Sequence, residues 1–129
     1  MIYILEDNEI MADCIATAVK SADNHQSVQI FPDAISAVQS LDQTLPDLIF
    51  LEILLTGPNG FTFLNELASY RDTARLPVVI VSTLSFADQD LSAYGVVGVL
   101  NKETMTPSDI ISYVTKYTNS RAKEHPSNE

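Results

Sequence analysis

One cysteine, no tryptophan, four glycines and seven basic residues are all that this chain of 129 residues holds of those kinds. A lone cysteine, Cys14, excludes an internal disulfide and fits a reducing compartment. Seven Lys and Arg against 17 Asp and Glu leave a formal net charge of -10. Neutralising phosphates takes clustered basic residues, so this domain is not expected to bind nucleic acid. The acidity favours solubility and partners with basic patches. No apolar run approaches the roughly 20 residues that span a bilayer, so no membrane association is expected. Met1 leads straight into a strand pattern with no basic region before it, so no signal peptide is read and a cytoplasmic location is expected. Neither His25 nor His125 has a metal-ligand partner at useful spacing.

What is present is a globular composition, 46% hydrophobic, at a length that suits one domain and one core. Short apolar runs alternate with helical patterns. Ile2–Leu5, Val28–Phe31, Leu48–Leu51, Val78–Ser82 and Val96–Leu100 read as strands. A helix is expected from Asn8 to about Ala22, with Ile10, Cys14, Ala18 and Val19 inward, so that Cys14 is inert core. Asp7 or Asn8 caps it. Asp33 caps a second helix to about Asp42, with Ile35, Val38 and Leu41 inward. Phe61, Leu64 and Leu67 mark a third, ending near Tyr70. A weaker fourth covers about Phe86 to Tyr94 and ends at Gly95. Pro107 sits in the first turn of the last helix, whose inward residues are Ile110, Ile111, Val114 and Tyr117. The polar remainder, 119–129, is expected as a frayed tail or linker remnant.

Five strands alternating with five helices imply a parallel sheet covered on both faces. Such sheets carry their sites at the carboxyl ends of the strands. Glu6 and Asp7 follow the first strand, Glu52 the third, Ser82 ends the fourth and Lys102 lies just beyond the fifth. An ionised acid at the end of a buried strand must stay wet or find a partner. If the first and third strands are neighbours, three carboxylates meet at one edge. The loop Glu6-Asp7-Asn8-Glu9 lacks glycine and repels phosphate, which argues against a flavin nucleotide and leaves no organic cofactor expected.

Several segments, in order, carry a family likeness: Ile4-Leu5-Glu6-Asp7-Asn8, Pro46 to Ile53, Gly57 with Asn59-Gly60-Phe61, Pro77 to Ser82, and Gly95 followed by Leu100-Asn101-Lys102. Over about residues 1–118 the chain resembles the receiver domain of bacterial response regulators. The resemblance implies the CheY-like, flavodoxin-like fold, a three-layer doubly wound five-stranded parallel sheet in the order 2-1-3-4-5. It implies that position 52 is the phosphoacceptor, that Glu6 and Asp7 with the Leu54 backbone carbonyl are the Mg²⁺ ligands, and that Ser82 and Lys102 contact the phosphoryl oxygens. It makes position 99 the switch.

The departures bear on function. Position 52 holds Glu where the family has Asp, Val99 stands where an aromatic is usual, Glu103 replaces the usual Pro, and Thr83 the usual small residue. Glu pushes its carboxylate out by roughly 1.5 Å. A misplacement of about 1 Å can cost on the order of 100-fold in attack. The longer side chain is expected to reach Lys102 or Ser82 as a partial phosphate mimic. The Lys102–Glu103 bond is expected trans. These residues point to an atypical, non-enzymatic receiver signalling by protein–protein interaction without a conventional phosphorylation cycle. Its partner, a histidine kinase or a downstream signalling protein, is expected on the face of the fourth helix, fifth strand and fifth helix, near Tyr94 and Tyr113. The alternative is a phosphorylatable, Mg²⁺-dependent receiver of a phosphorelay, with Glu52 natural or an engineered phosphomimic of Asp. Mg²⁺ binding stays open, since two acids are kept and the third ligand is altered. Lys102 can equally be a structural neutraliser of Glu52 or Asp7.

Overall fold

A computed structural model describes residues 1–86 and 89–124, with side chains described as far as Thr118. The strands are β1 (Ile2–Leu5), β2 (Val28–Phe31), β3 (Leu48–Leu51), β4 (Val78–Ser82) and β5 (Val96–Asn101). All pair in parallel, in the order β2-β1-β3-β4-β5. β1, β3 and β4 are buried along their whole length, so an unbroken apolar run rather than an alternating one encodes each. Alternation appears in the side each residue serves. Tyr3, Leu5, Ile49, Leu51, Val78 and Ile80 join one core, and Ile2, Ile4, Leu48, Phe50, Val79 and Val81 the other.

The first core is closed by α2 (Ala34–Leu41) and α3 (Gly60–Ala68), the second by α1 (Glu9–Ala22) and α4 (Pro107–Glu124). Asn8, Asp33 and Asn59 cap the first three helices, each accepting from an amide of the first turn. Pro107 opens α4, where its missing N–H costs nothing.

Helix faces depart from expectation. On α1 the buried residues are Ala12, Ile15, Ala18 and Val19, while Ile10 is exposed and Cys14 is an exposed free thiol rather than core. On α2 Ala34 and Ala37 are buried and Ile35 points out; on α3 Phe63 is buried and Phe61 lies at the surface. In each case a neighbouring residue takes the inward position, an alanine on α1 and α2 and Phe63 on α3.

The fourth helix is the largest correction. Among the described residues of Phe86–Tyr94, only a 3₁₀ turn forms, at Ser92–Tyr94, with 87–88 outside the described set. Asp90 accepts from both the amide and the hydroxyl of Ser92, a local bond that competes with helix. Phe86 is buried and meets Phe61 edge-on, with ring centres 6.0 Å apart, which pins the segment to α3. Gly95 closes the turn at φ +79°, a conformation that favours glycine. β5 runs one residue further than expected. The last helix continues to Glu124, past the expected end at 118, and 125–129 lie outside the described residues. No peptide bond among the described residues is cis, so the Lys102–Glu103 bond is trans, as expected.

Candidate functional site

Strand register brings the site together. Leu5 pairs with Leu51, so Glu6 and Glu52 leave neighbouring strands side by side. The Glu52 amide donates to the Leu5 carbonyl at 2.9 Å and the Glu6 amide to Phe31 at 3.0 Å, which fixes both Cα positions. On the far side Ser82 pairs with Asn101, and the Lys102 amide donates to the Ser82 carbonyl at 3.1 Å. Three strand ends therefore hold Glu6, Glu52 and Lys102 without help from any long loop.

The side chains meet tightly. Lys102 Nζ lies 2.7 Å from Glu6 Oε1 and 2.6 Å from Glu52 Oε1. Glu6 is 3% and Glu52 4% exposed, so both carboxylates are removed from water. The contact to Glu6 Oε1 is an ion contact without an aligned hydrogen bond. The remaining oxygens take backbone donors: Glu6 Oε2 accepts from the Asn8 amide at 3.2 Å, and Glu52 Oε2 from the Leu54 amide at 3.0 Å. Leu54 thus enters the site through its N–H, while its side chain is exposed.

Asp7 is placed differently. It is exposed, and its Oδ2 accepts from the Thr56 hydroxyl at 2.9 Å and the Thr56 amide at 3.3 Å. Lys102 neutralises Glu52 and Glu6, not Asp7. Ser82 is fully buried and its Oγ accepts from the Leu84 amide at 3.3 Å. Val99 is 42% exposed on β5, beside Leu84, Ser85, Phe86 and Asn101, which line an open pocket. Sequence reasoning missed Thr56. Its only signal is a hydroxyl in the turn-rich stretch after β3, and which acid it meets depends on loop geometry.

Burial pushes the Glu6 carboxyl above its ordinary value of 4.5, against the pull of Lys102 and the Asn8 amide, and the Glu52 charge adds to the rise. Burial opposes the Lys102 charge too, but Glu52 and then Glu6 outweigh it and lift the ammonium above 10.5. An acid raised in the folded state contributes stability that is complete below its unfolded value and is lost as pH rises through its folded value. Glu6 therefore favours folding below pH 4.5 and loses that contribution toward neutrality. Glu6→Gln removes this dependence, with Lys102 and Glu52 still facing the site. The expected result is that its urea midpoint, relative to the unaltered protein, improves between pH 4.5 and neutrality. Parallel pH profiles would contradict it.

The doubly wound sheet, with acids after β1 and β3, a hydroxyl ending β4 and a lysine after β5, defines a receiver-type architecture. The chain belongs to the response regulator receiver domain family, which matches residues 2–115, and so to the signalling modules of two-component systems. A protein-glutamate methylesterase/protein-glutamine glutaminase from Chromobacterium violaceum is 28% identical over 108 residues, covering 81% of this chain and 29% of that protein. The chain spans under a third of the length of the curated relatives it matches first. Among solved structures, the NtrX receiver domain from Brucella abortus superposes with a TM-score of 0.77 at 22% identity, over 93% of this chain and 99% of that one. The receiver domain of a sensor histidine kinase from Pseudomonas aeruginosa, which has a magnesium ion coordinated in its active-site cleft, gives 0.76 at 19% identity, over 92% and 96%. No helix among the described residues is long and apolar enough to cross a membrane.

In this chain the carboxylates of Glu6 and Glu52 are engaged by the protein's own donors rather than left open for such an ion. Each oxygen of Glu6 and Glu52 already has an ammonium or an amide within 3.2 Å, and Asp7 Oδ2 is taken by Thr56. Among the described residues no group of three or more His, Cys, Asp or Glu is placed to hold a metal.

Proposed function

We propose that this domain is an atypical receiver that signals by binding a protein partner, without a conventional phosphorylation cycle. The observation that carries this reading is the pairing of Glu52, at the phosphoacceptor position, with Lys102 at 2.6 Å and with the Leu54 amide at 3.0 Å. An attacking carboxylate needs a free oxygen in line with the phosphorus, and both oxygens here have donors. The longer side chain puts a negative charge on the lysine that a phosphoryl group would otherwise engage, so part of that charge is present permanently. Val99 offers no ring to move between inner and outer positions, and Glu103 leaves the lysine loop in a trans form.

The partner surface is β5 with the 3₁₀ turn and α4. Tyr94, Val97 and Val99 are exposed there, and Tyr113 lies against β5. A histidine kinase or a downstream signalling protein fits this role, through protein contacts rather than nucleic acid or membrane. The methylesterase activity in the name of the Chromobacterium relative belongs to a much longer protein, and a signalling role without catalysis is the reading favoured for this chain.

Acetyl phosphate or beryllofluoride, each with Mg²⁺, tests the proposal. The expected result is no stoichiometric adduct by mass and no widespread amide shift, with a response gained only in Glu52→Asp. An adduct on the unaltered chain would instead favour the phosphorelay reading, in which Glu52 or another acid accepts the phosphoryl group.

A further inference from the structure

We infer that the Lys102 ammonium is the resident cation of this site, joining the carboxylates at the ends of β1 and β3, so that the folded domain is metal-independent. The inference deepens the reading above and rests on it for the identity of the site. Its own support is geometric. One nitrogen lies within 2.7 Å of a carboxylate oxygen from each of two adjacent strand ends. That nitrogen is on a side chain only 15% exposed, and its backbone is tied to β4 through Ser82. An ammonium carries a compact charge with three donors on a flexible stem, well suited to bridging two acids.

Magnesium requires near-octahedral oxygen geometry at about 2.0–2.1 Å and sheds its water reluctantly. To use either buried glutamate here it must compete with the lysine, which already holds Glu6 Oε1 and Glu52 Oε1. The third acid, Asp7, is exposed and has its Oδ2 engaged by the Thr56 hydroxyl and amide instead of by the lysine. A Glu at position 52 is long enough to share the lysine with Glu6, and this shared contact fills the place between the strands.

Calorimetric titration of the unaltered protein with Mg²⁺ alone, and thermal unfolding with and without millimolar Mg²⁺, test this. The unaltered domain is expected to give no binding heat and no shift in midpoint. Lys102→Gln removes the ammonium and is expected to gain Mg²⁺ binding, with a rise of about 5–10 °C at a hundredfold excess over its dissociation constant. Mg²⁺ binding by the unaltered chain overturns the inference. So does a folded Lys102→Gln that ignores Mg²⁺. The titration of the unaltered chain decides by itself should the variant not fold. Mg²⁺ binding without a phosphoryl adduct would remove this inference and leave the proposed function standing, whereas an adduct would remove the proposed function.

Discussion

Lys102→Met is expected to destabilise the domain by about 3–5 kcal/mol, because it leaves two buried carboxylates with no counter-ion. Glu6 and Glu52 are 3% and 4% exposed, and their shared cation is within 2.7 Å of both. Exposed ion pairs are worth about 0–1 kcal/mol, so a loss of that size would mean the contacts act as surface pairs do. At about 3–5 kcal/mol the thermal midpoint falls by about 10–20 °C for a domain of this length. The cycle with Glu6→Gln separates the causes. If the penalty comes from stranded charge, Glu6→Gln made in the Lys102→Met background restores stability. If it comes from lost packing of the lysine stem, the second substitution brings no recovery. A coupling of about 0.5–3 kcal/mol between the two positions is expected, as for residues in direct contact. Urea denaturation at neutral pH measures the unaltered protein, the two single variants and the double variant. Additive losses would sink the idea that the site is one electrostatic unit.

The parts of this site that were legible in the sequence are those fixed by strands. Buried parallel strands are written as unbroken apolar runs, and the residue after such a run must lie at the carboxyl edge. The pattern alone therefore places Glu6, Glu52, Ser82 and Lys102 at that edge, and the register from Leu5 to Leu51 makes the two glutamates neighbours. Features set by side-chain competition were less legible. Ile10, Cys14 and Ile35 were expected inward because they are apolar. The inward positions are instead taken by Ala12, Ala34 and Ala37, whose small size carries little pattern. The segment before β5 has enough apolar residues to suggest a helix, but Asp90 satisfies the Ser92 amide locally and Phe86 is drawn to Phe61. Residues 119–124 have no apolar stripe. Arg121, Ala122, Lys123 and Glu124 are nevertheless good helix formers, and α4 continues through them. Asp7 and Glu6 look equivalent as a pair of acids. Their surroundings separate them, through Thr56 in the loop after β3 on Asp7, and burial with Lys102 on Glu6.

That loop has a second anchor, and altering it is expected to cost almost as much as removing the lysine. A methyl group at Gly60 would sit 2.7 Å from Ile53 Cα, 2.8 Å from Ile53 Cδ1 and 2.9 Å from the Glu52 carbonyl oxygen. Two of these three are backbone atoms. The Glu52 amide is held to Leu5 at 2.9 Å, and the Gly60 amide already donates to the Ile53 carbonyl at 2.8 Å, so neither partner can retreat without breaking a bond. Overpacking typically costs about 1–3 kcal/mol, and contacts this rigid place Gly60→Ala near the upper figure. Gly98→Ala is the control. Its methyl would come closer still, 1.9 Å from the Tyr113 hydroxyl and 2.4 and 2.8 Å from ring carbons Cζ and Cε1, but all three belong to one partly exposed side chain whose ring can swing away without moving backbone. The shorter distance is therefore expected to have the smaller effect. The two variants should also differ in where they act. Gly60→Ala must force the start of α3 and the backbone at 52–53 apart, against the Gly60–Ile53 hydrogen bond, so Glu52 loses its seat beside Lys102. Gly98→Ala disturbs only the packing of α4 on β5. Amide shifts concentrated at residues 52–56 in Gly60→Ala and absent there in Gly98→Ala would bear this out. Equal losses of stability in the two variants would show that the rigidity of the β3–α3 junction is not what positions the glutamate.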